Sequence, residues 1–234
     1  KNKVEQPMIK DFDLLQRANN DYTTIDLEHA EELAYRELID SIRYISLGDE
    51  CGVMGNIANI ITYKGRFYIQ EEQFDRVFIY DDTGRCLKKI DNKGRGPGEY
   101  LRIESIDINT EKEELMLVDG MSDKLFFYDL DGNFKSIHSI RYFQTENTLC
   151  LRDSVFLHIS APSQNFGNEG LYGYALVLSK GNENFLKGYR YLPLQVGYKG
   201  GGQIFKGYER SCYHPIYSDT IYQILSDTTY GPIF

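Results

Sequence analysis

The chain contains an internal repeat of 48 residues, and this repeat constrains the fold more than any other feature. Phe67–Ile90 ("FYIQEEQFDRVFIYDDTGRCLKKI") aligns without a gap on Leu115–His138 ("LMLVDGMSDKLFFYDLDGNFKSIH"). Several aligned positions carry the same residue, for example Asp75 and Asp123 or Gly84 and Gly132. A fixed period of about 40–50 residues is typical of propeller blades, each of which is one four-stranded sheet.

Each unit contains three strand signals separated by polar turns rich in Asp and Gly. These two residues tolerate the positive φ that tight hairpin turns require. A further candidate strand precedes each unit, at Ala58–Tyr63 and at Ile103–Asn109. The strands predicted within the units are Phe67–Ile69, Val77–Tyr80, Cys86–Ile90, Leu115–Val118, Leu125–Tyr128 and Phe134–Ile137.

Weaker copies of the pattern follow the two clear units. Asp153–Pro162 and Tyr174–Tyr189 are predicted strands of a third unit, with a hairpin turn at Lys180–Asn182, and residues 202–227 indicate a fourth. We therefore expect an all-β protein, a β-propeller of about four blades with four antiparallel strands each. The expected blades span residues 57–100, 101–148, 149–195 and, in part, 196–234.

The amino-terminal part lacks the repeat. Residues 1–20 are polar and predict a flexible segment. Between residues 21 and 56 the pattern predicts an edge strand at Asp21–Leu27, a short helix at Glu31–Ile42 and a strand at Ile42–Gly48. Such a segment completes a neighbouring blade or covers one face of the propeller.

The stretch Gly94–Tyr100 ("GRGPGEY") joins the two clear units and invites a phosphate-binding interpretation. Phosphate loops need other glycine spacings and a following helix, whereas here a strand follows. We therefore predict a structural crossing between blades, with at least one glycine at positive φ. Arg95, Glu99 and Tyr100 are candidate ligand-binding residues at the rim. The structural alternative is that Glu99 accepts loop N–H groups and Tyr100 fills the gap between blades.

The four cysteines, Cys51, Cys86, Cys150 and Cys212, show no metal or redox spacing. They could form two disulfides, but the favoured interpretation is four buried free thiols. In particular, Cys86 aligns with Phe134 and is expected to be buried and unpaired.

The remaining polar residues point to no catalytic group. His29, His138, His158 and His214 fall at non-equivalent blade positions, so no metal site, cofactor or catalytic residue is predicted. Asp129–Asn133 ("DLDGN") resembles a calcium loop, but its glycine comes too early, so a hairpin turn is expected. Asp75-Arg76 and Asp123-Lys124 are expected to stabilise turns. The net charge of −9 and the lack of basic clusters exclude a typical nucleic-acid-binding surface.

Several segments together resemble the six-bladed β-propeller lipoproteins of Gram-negative gut bacteria, whose blades are similar to NHL repeats. These segments are Asp40–Gly48, Gly94–Tyr100, Leu115–Phe134 and Asp219–Ile224, and the resemblance extends over roughly residues 21–224. It implies a cell-envelope location, in the periplasm or at the surface, with an outer-membrane lipid anchor upstream of residue 1.

The resemblance also implies six blades, which need about 280 residues, whereas the chain has 234. Part of a six-bladed ring is the favoured interpretation, and a closed four-bladed ring is the alternative. Two functions stay open. The first is a non-catalytic binding or scaffold lipoprotein that presents a propeller face to a glycan, a peptide or a protein. The second is a propeller hydrolase or lyase that acts on polysaccharide.

Overall fold

The protein folds almost entirely into β-strands, as its computed structural model shows. The structure describes residues 39–140, 145–152, 154–160, 174–181, 184–191, 202–206, 211–215, 219–225 and 229–232, together with 13–14, 16–17, 23–24, 26, 28 and 37. The strands are β1 (Asp13–Leu14), β2 (Gln16–Arg17), β3 (Ile57–Tyr63), β4 (Arg66–Glu71), β5 (Arg76–Asp81), β6 (Cys86–Ile90), β7 (Ser105–Asn109), β8 (Glu114–Asp119), β9 (Lys124–Asp129), β10 (Phe134–Ser139), β11 (Asn147–Arg152), β12 (Val155–Ile159), β13 (Tyr174–Lys180), β14 (Asn184–Tyr191), β15 (Gln203–Lys206), β16 (Ser211–His214), β17 (Tyr222–Ile224) and β18 (Thr229–Pro232).

The strands form four sheets, which are the blades of a β-propeller. Blade 1 contains β3–β6, blade 2 contains β7–β10, blade 3 contains β11–β14 and blade 4 contains β15–β18. Within each blade, successive strands pair antiparallel. The first strands of neighbouring blades contact one another, β3 with β7, β7 with β11 and β11 with β15. The predicted all-β propeller with four-stranded blades is therefore confirmed.

The 48-residue repeat corresponds to blades 1 and 2. Strands β3, β4, β5 and β6 begin 48 positions before β7, β8, β9 and β10. The turns superpose as well, because Asp75 and Asp123 have φ of 58° and 54°, and Gly84 and Gly132 have φ of 87° and 79°. Equal offsets at the strands and at the strained turn positions confirm that the repeat is one blade.

Aspartates close the outer hairpin turns of both blades in the same way. Asp81 Oδ1 accepts the backbone N–H groups two and four positions later, both at 3.0 Å. Asp129 Oδ1 accepts the equivalent pair at 3.0 and 2.8 Å. Hydrogen bonds, led by the one from the Thr83 hydroxyl, lower the pKa of Asp81 to about 2. The stretch "DLDGN" is therefore a hairpin turn, as predicted.

The glycine-rich stretch is the crossing from blade 1 to blade 2. Gly98 has φ of 82°, as predicted for at least one glycine there. The Glu99 carboxylate accepts the Gly96 N–H at 2.7 Å. Tyr100 is fully buried within the apolar core between the two blades. Its hydroxyl donates to the Asp75 carbonyl at 2.8 Å and accepts the Asn92 N–H at 3.1 Å. The crossing thus has the structural role predicted for it.

The Asp75 side chain ties the β4–β5 turn to this crossing. Its Oδ1 accepts the Ile103 N–H at 3.1 Å, and its Oδ2 pairs with the Lys93 ammonium. The Arg76 guanidinium pairs with Asp91 at 3.0 Å. These contacts hold the turn against the crossing that follows blade 1.

A covering segment, residues 39–56, lies over the face of blade 1 that points away from blade 2. The Gly48 N–H donates to the Gly84 carbonyl at 2.8 Å, and Tyr80 donates to the Gly48 carbonyl at 3.3 Å. Cys51 and Met54 pack against an apolar cluster in the sheet, formed by Ile69, Phe78 and Tyr80. The covering segment therefore shields apolar side chains that the sheet would otherwise expose.

A disulfide joins the covering segment to blade 1, between Cys51 and Cys86. The expectation that Cys86 is buried and unpaired is therefore wrong. The alignment with Phe134 is correct, but both residues begin an outermost strand, and Phe134 itself is 45% exposed. Such a position does not require a buried hydrophobe, so the packing argument does not hold. Cys150 and Cys212 are buried and form no disulfide, as expected, whereas the same expectation is wrong for Cys51.

Blades 3 and 4 carry an additional strand on their outer edges, which the sequence did not predict. β1 pairs parallel with β14 of blade 3, through Asp13 and Lys187. β2 pairs parallel with β18 of blade 4, through Gln16 and Thr229. The amino-terminal segment therefore contributes the fifth strand to two sheets that were predicted to have four.

Other predictions for the amino-terminal part have different outcomes. Ile42–Gly48 is not a strand, because it runs along blade 1 as part of the covering segment. The predicted helix at Glu31–Ile42 and the predicted strand at Asp21–Leu27 lie largely outside the described residues. No helix in the described part of the chain is long and apolar enough to cross a membrane.

Candidate functional site

The candidate site is a cavity of about 770 Å³ where the first strands of the four blades meet. These strands lie at the propeller axis, because each begins a blade and contacts the first strand of the next. Its walls come from all four blades, at Asn59, Ile60, Ile61, Thr62, Tyr63, Lys64, Ile106, Asp107, Ile108, Thr110, Asn147, Leu149, Ile204, Phe205 and Lys206.

Lys206 of blade 4 ties three blades together in one wall of this cavity. Its ammonium donates to Asp107 Oδ2 at 3.2 Å, to the Ile108 carbonyl at 2.9 Å and to the Cys150 carbonyl at 2.8 Å. Asp107 and Ile108 belong to blade 2 and Cys150 to blade 3. Since an ammonium group has three donors, these contacts occupy all of them.

The Asp107 carboxylate is buried, with 4% of the residue exposed. It also accepts the Cys150 N–H at 2.7 Å. Burial raises the pKa of Asp107, and the charge of Lys206 opposes that rise. The group is therefore a structural anchor that a cation and a backbone donor hold in place.

A second ion pair lies at the edge of the cavity. The Lys64 ammonium pairs with the Glu113 carboxylate, and both side chains are about half exposed. Glu113 lies in the turn between β7 and β8, where its φ is 54°. This pair joins blade 1 to blade 2, and its two charges offset each other.

The rest of the lining combines uncharged polar groups with apolar surface. Asn59, Thr62, Thr110 and Asn147 contribute amides and hydroxyls. The Asn147 Oδ1 atom is shielded from solvent and has no hydrogen-bond partner. Ile60 and Phe205 remain 51% and 45% exposed. The cavity can therefore offer hydrogen bonds and apolar contact in the same volume.

The residues singled out from the sequence lie elsewhere, in the crossing between blades 1 and 2. Arg95 is exposed there, and Glu99 and Tyr100 make the contacts described above. Pro97 and Gly98 border a shallow notch together with Phe134 of β10. None of the three candidates lies among the described residues that line the axial cavity. A ligand-binding role for them stays a prediction.

The three histidines in the described part of the chain do not converge, and His29 lies outside it. His158 is fully buried in β12, with Thr148 Oγ1 at 2.9 Å from Nδ1 and Ser179 Oγ at 2.8 Å from Nε2. Burial lowers the pKa of His158 to about 3. His138 lies in β10 and His214 ends β16. Among the described residues, no group of three or more His, Cys, Asp or Glu side chains is placed to hold a metal ion.

Sequence reasoning missed the axial cavity because its lining comes from four distant strands. Lys206 lies in a faint fourth repeat, and nothing in "GQIFKG" indicates that its ammonium reaches Asp107. One signal was available: Asp107 stands among apolar residues in "SIDIN", where an aspartate must be paired to be buried.

Fold and cavity together define the chain as a β-propeller protein with an axial cavity between its inner strands. More specifically, it belongs to the family described as a domain of unknown function, DUF4934, which matches residues 22–232. No curated protein matches the sequence.

Solved structures with a similar fold include a "putative exported protein" from Bacteroides fragilis NCTC 9343. The identity is 19% and the TM-score 0.72, over 82% of this chain and 54% of that protein. The chain thus spans about half the length of that protein. A member of the DUF4221 family from Bacteroides vulgatus has 11% identity and a TM-score of 0.46, over 74% of this chain and 55% of that one. The WD40 repeats of RRP9 have 9% identity and a TM-score of 0.49, over 76% and 51%.

Proposed function

We propose that the protein is an exported, non-catalytic binding module of the cell envelope, and that the axial cavity is its ligand site. The observation that carries this proposal is the cavity where four inner strands meet, because its polar and apolar groups face one volume. Pockets of about 300–1,000 Å³ with a few placed polar groups are the usual form of ligand sites.

A binding role is favoured over hydrolysis by the state of the carboxylate in the lining. Asp107 is held by the Lys206 ammonium and the Cys150 N–H, so it is not free to exchange a proton with a substrate. Most glycoside hydrolases need two carboxylates placed across the scissile bond. The polysaccharide hydrolase or lyase stays the alternative, and the experiment below includes it.

Export is supported by the disulfide between Cys51 and Cys86. Disulfides persist in oxidising compartments and are rare in the cytosol of mesophiles. The description of the Bacteroides fragilis structure as exported agrees with this location. A lipid anchor upstream of residue 1, an outer-membrane position and a six-bladed ring are the finer parts of the proposal, and they rest on the sequence resemblance.

Cell fractionation combined with thiol labelling tests the location. We expect the native protein in the envelope fraction, with Cys51 and Cys86 protected from alkylation until a reductant is added. A disulfide that closes a loop of this size contributes about 2–4 kcal/mol to the free energy of unfolding. Recovery of the protein from the cytosol with both thiols free would refute export.

Thermal shift measurements test the binding role. The panel contains neutral sugars, uronic acids, amino acids and short peptides. At least one class should raise the Tm of the wild type, and it should not raise the Tm of an Asn59→Phe variant, whose larger side chain takes up part of the cavity. If no class has a cavity-dependent effect, the binding proposal is wrong. Release of new reducing ends from polysaccharide, abolished by Asn59→Phe, would favour the hydrolase.

A further inference from the structure

We propose that the axial cavity binds an uncharged carbohydrate, a short neutral oligosaccharide. This proposal rests on the proposed binding function and names the ligand class. It follows from three properties of the lining: satisfied charges, available uncharged polar groups and exposed apolar walls.

The charged groups of the cavity are already matched by groups of the protein. The Lys206 ammonium donates its three N–H groups to the Asp107 carboxylate and to the carbonyls of Ile108 and Cys150. Asp107 Oδ2 in turn accepts from Lys206 and from the Cys150 N–H. At the edge, Lys64 pairs with Glu113. A charged ligand would lose its hydration here without gaining an unmatched counter-charge, which is unfavourable. A neutral ligand avoids this cost.

Uncharged polar side chains from three blades surround the same volume. Asn59 and Thr62 come from β3, Thr110 follows β7, and Asn147 begins β11. The Asn147 Oδ1 atom has no partner, and an unsatisfied acceptor in a buried wall costs free energy. Rotation of this amide would present the oxygen to a ligand hydroxyl. A ligand with many hydroxyl groups can satisfy amides and hydroxyls placed on several sides.

Apolar side chains complete the match to a sugar. Ile60 and Phe205 line the cavity, and each exposes about half of its surface. A sugar ring has C–H groups on its faces and hydroxyls around its edge, so it can use both kinds of wall at once. An aromatic face such as that of Phe205 is a platform for a C–H face. A cavity of about 770 Å³ suits a few sugar units.

The test is an array of immobilised oligosaccharides probed with the full chain. One set is neutral, such as cellobiose, lactose and maltotriose, and a second set of the same lengths carries uronic acid or sulfate groups. Neutral peptides form a third set. We expect binding to members of the neutral sugar set, with no gain when a carboxylate or sulfate is added.

Two matched variants locate the binding. Phe205→Ala removes a phenylalanine of the cavity and Phe134→Ala removes one of the notch beside Gly98, and both side chains are 45% exposed. Phe205→Ala should raise the Kd for the sugar about tenfold or more, because the apolar surface that one phenylalanine buries against a ligand changes the affinity by about that factor. Phe134→Ala should bind like the wild type.

Several outcomes would overturn the proposal. Binding of the anionic or peptide set alone would reject the ligand class and leave a cavity-dependent binding function intact. Loss of binding in Phe134→Ala but not in Phe205→Ala would move the site to the crossing that contains Arg95. A lower Tm of Phe205→Ala with unchanged sugar binding would show that this side chain only packs against protein.

Discussion

The layer between blades 1 and 2 and the layer between blades 2 and 3 are built from different chemistry. The first is mainly apolar, with Tyr68, Ile79, Ile106, Leu117 and Phe126 among its buried members. Its buried polar side chains, Gln70 and Asp75, bond to the backbone at Ile103 and contain no histidine. The second has apolar members too, such as Met116 and Phe156. It also contains a buried polar row, in which Ser105 Oγ accepts the Thr148 N–H at 3.4 Å and Thr148 contacts His158.

This difference separates two ways of holding blades together. Apolar burial contributes about 25 cal/mol per Å² and does not depend on pH. A buried polar row gains stability only while each group keeps its partner, and a titratable member links stability to pH. Both layers share blade 2, so substitutions in one layer can be compared directly with substitutions in the other.

Removal of Tyr100 should cause the largest loss of stability. Tyr100→Ala deletes a fully buried ring that contacts Phe126 edge-on, with ring centroids 6.0 Å apart. Large-to-small substitutions of buried aromatic residues cost about 3–5 kcal/mol. Urea unfolding at pH 7 measures the loss. The difference in free energy of unfolding between the variant and the wild type should be the same at pH 5. A cost below about 1 kcal/mol would contradict the packing role.

Replacement of Lys206 should cost somewhat less, about 3 kcal/mol. Lys206→Met keeps an apolar stem but leaves the buried Asp107 carboxylate without its cation. Because Asp107 can take up a proton instead, the loss should shrink as the pH falls. The double variant Asp107→Asn with Lys206→Met should recover part of the stability. Equal losses in the single and double variants would show that the ion pair itself does not matter.

His158 should make the second layer sensitive to acid. Its pKa in the folded state is about 3, below the ordinary value of 6.5, so the unfolded chain binds a proton first as the pH falls. The stabilisation is complete above about pH 6.5 and is lost progressively below it. Between pH 7 and pH 5 one such histidine accounts for about 2 kcal/mol.

The variant His158→Gln isolates this contribution. Its free energy of unfolding should change less between pH 7 and pH 5 than that of the wild type, by about 2 kcal/mol. Urea titrations at the two pH values give the difference. Parallel pH profiles for both proteins would mean that His158 is not held neutral in the folded state.

The smallest expected effect concerns the crossing between blades 1 and 2. Gly98→Ala forces a side chain into a backbone with φ of 82° and should cost about 1 kcal/mol or more. Arg95→Ala, on the exposed side of the same crossing, should stay within about 0.5 kcal/mol. Thermal melts compare the two variants. If Gly98→Ala has the same Tm as the wild type and Arg95→Ala no longer binds an anionic ligand, the crossing is a binding site.

The sequence predicts blades 1 and 2 well because their information is local. Strand alternation and Asp-Gly turns are set by neighbouring residues, so the hairpins at Gly84 and Gly132 could be located before the structure. The same holds for Gly181, whose φ of 65° fits the predicted turn of blade 3. Local patterns therefore identify the blade as the unit of the fold.

Contacts between distant parts of the chain could not be predicted in this way. The disulfide depends on the path of the covering segment, which places Cys51 beside Cys86 across 35 positions. Lys206 reaches Asp107 across 99 positions and three blades. Neither contact leaves a periodic trace in the sequence, so the cysteine pairing was wrong and the axial cavity was missed.

The strands β1 and β2 cover the outer edges of two blades through contacts between distant parts of the sequence. Gln16 and Arg17 pair with Thr229 and Tyr230, which lie far away along the sequence. Contacts of such high sequence separation form slowly, because the chain loses the entropy of closing a long loop before the contacts can stabilise it. Until then the outer edges of β14 and β18 lack the partners that β1 and β2 later supply. An open strand edge is a template for pairing with other chains. The pairing of β1 and β2 therefore also protects two blades from aggregation.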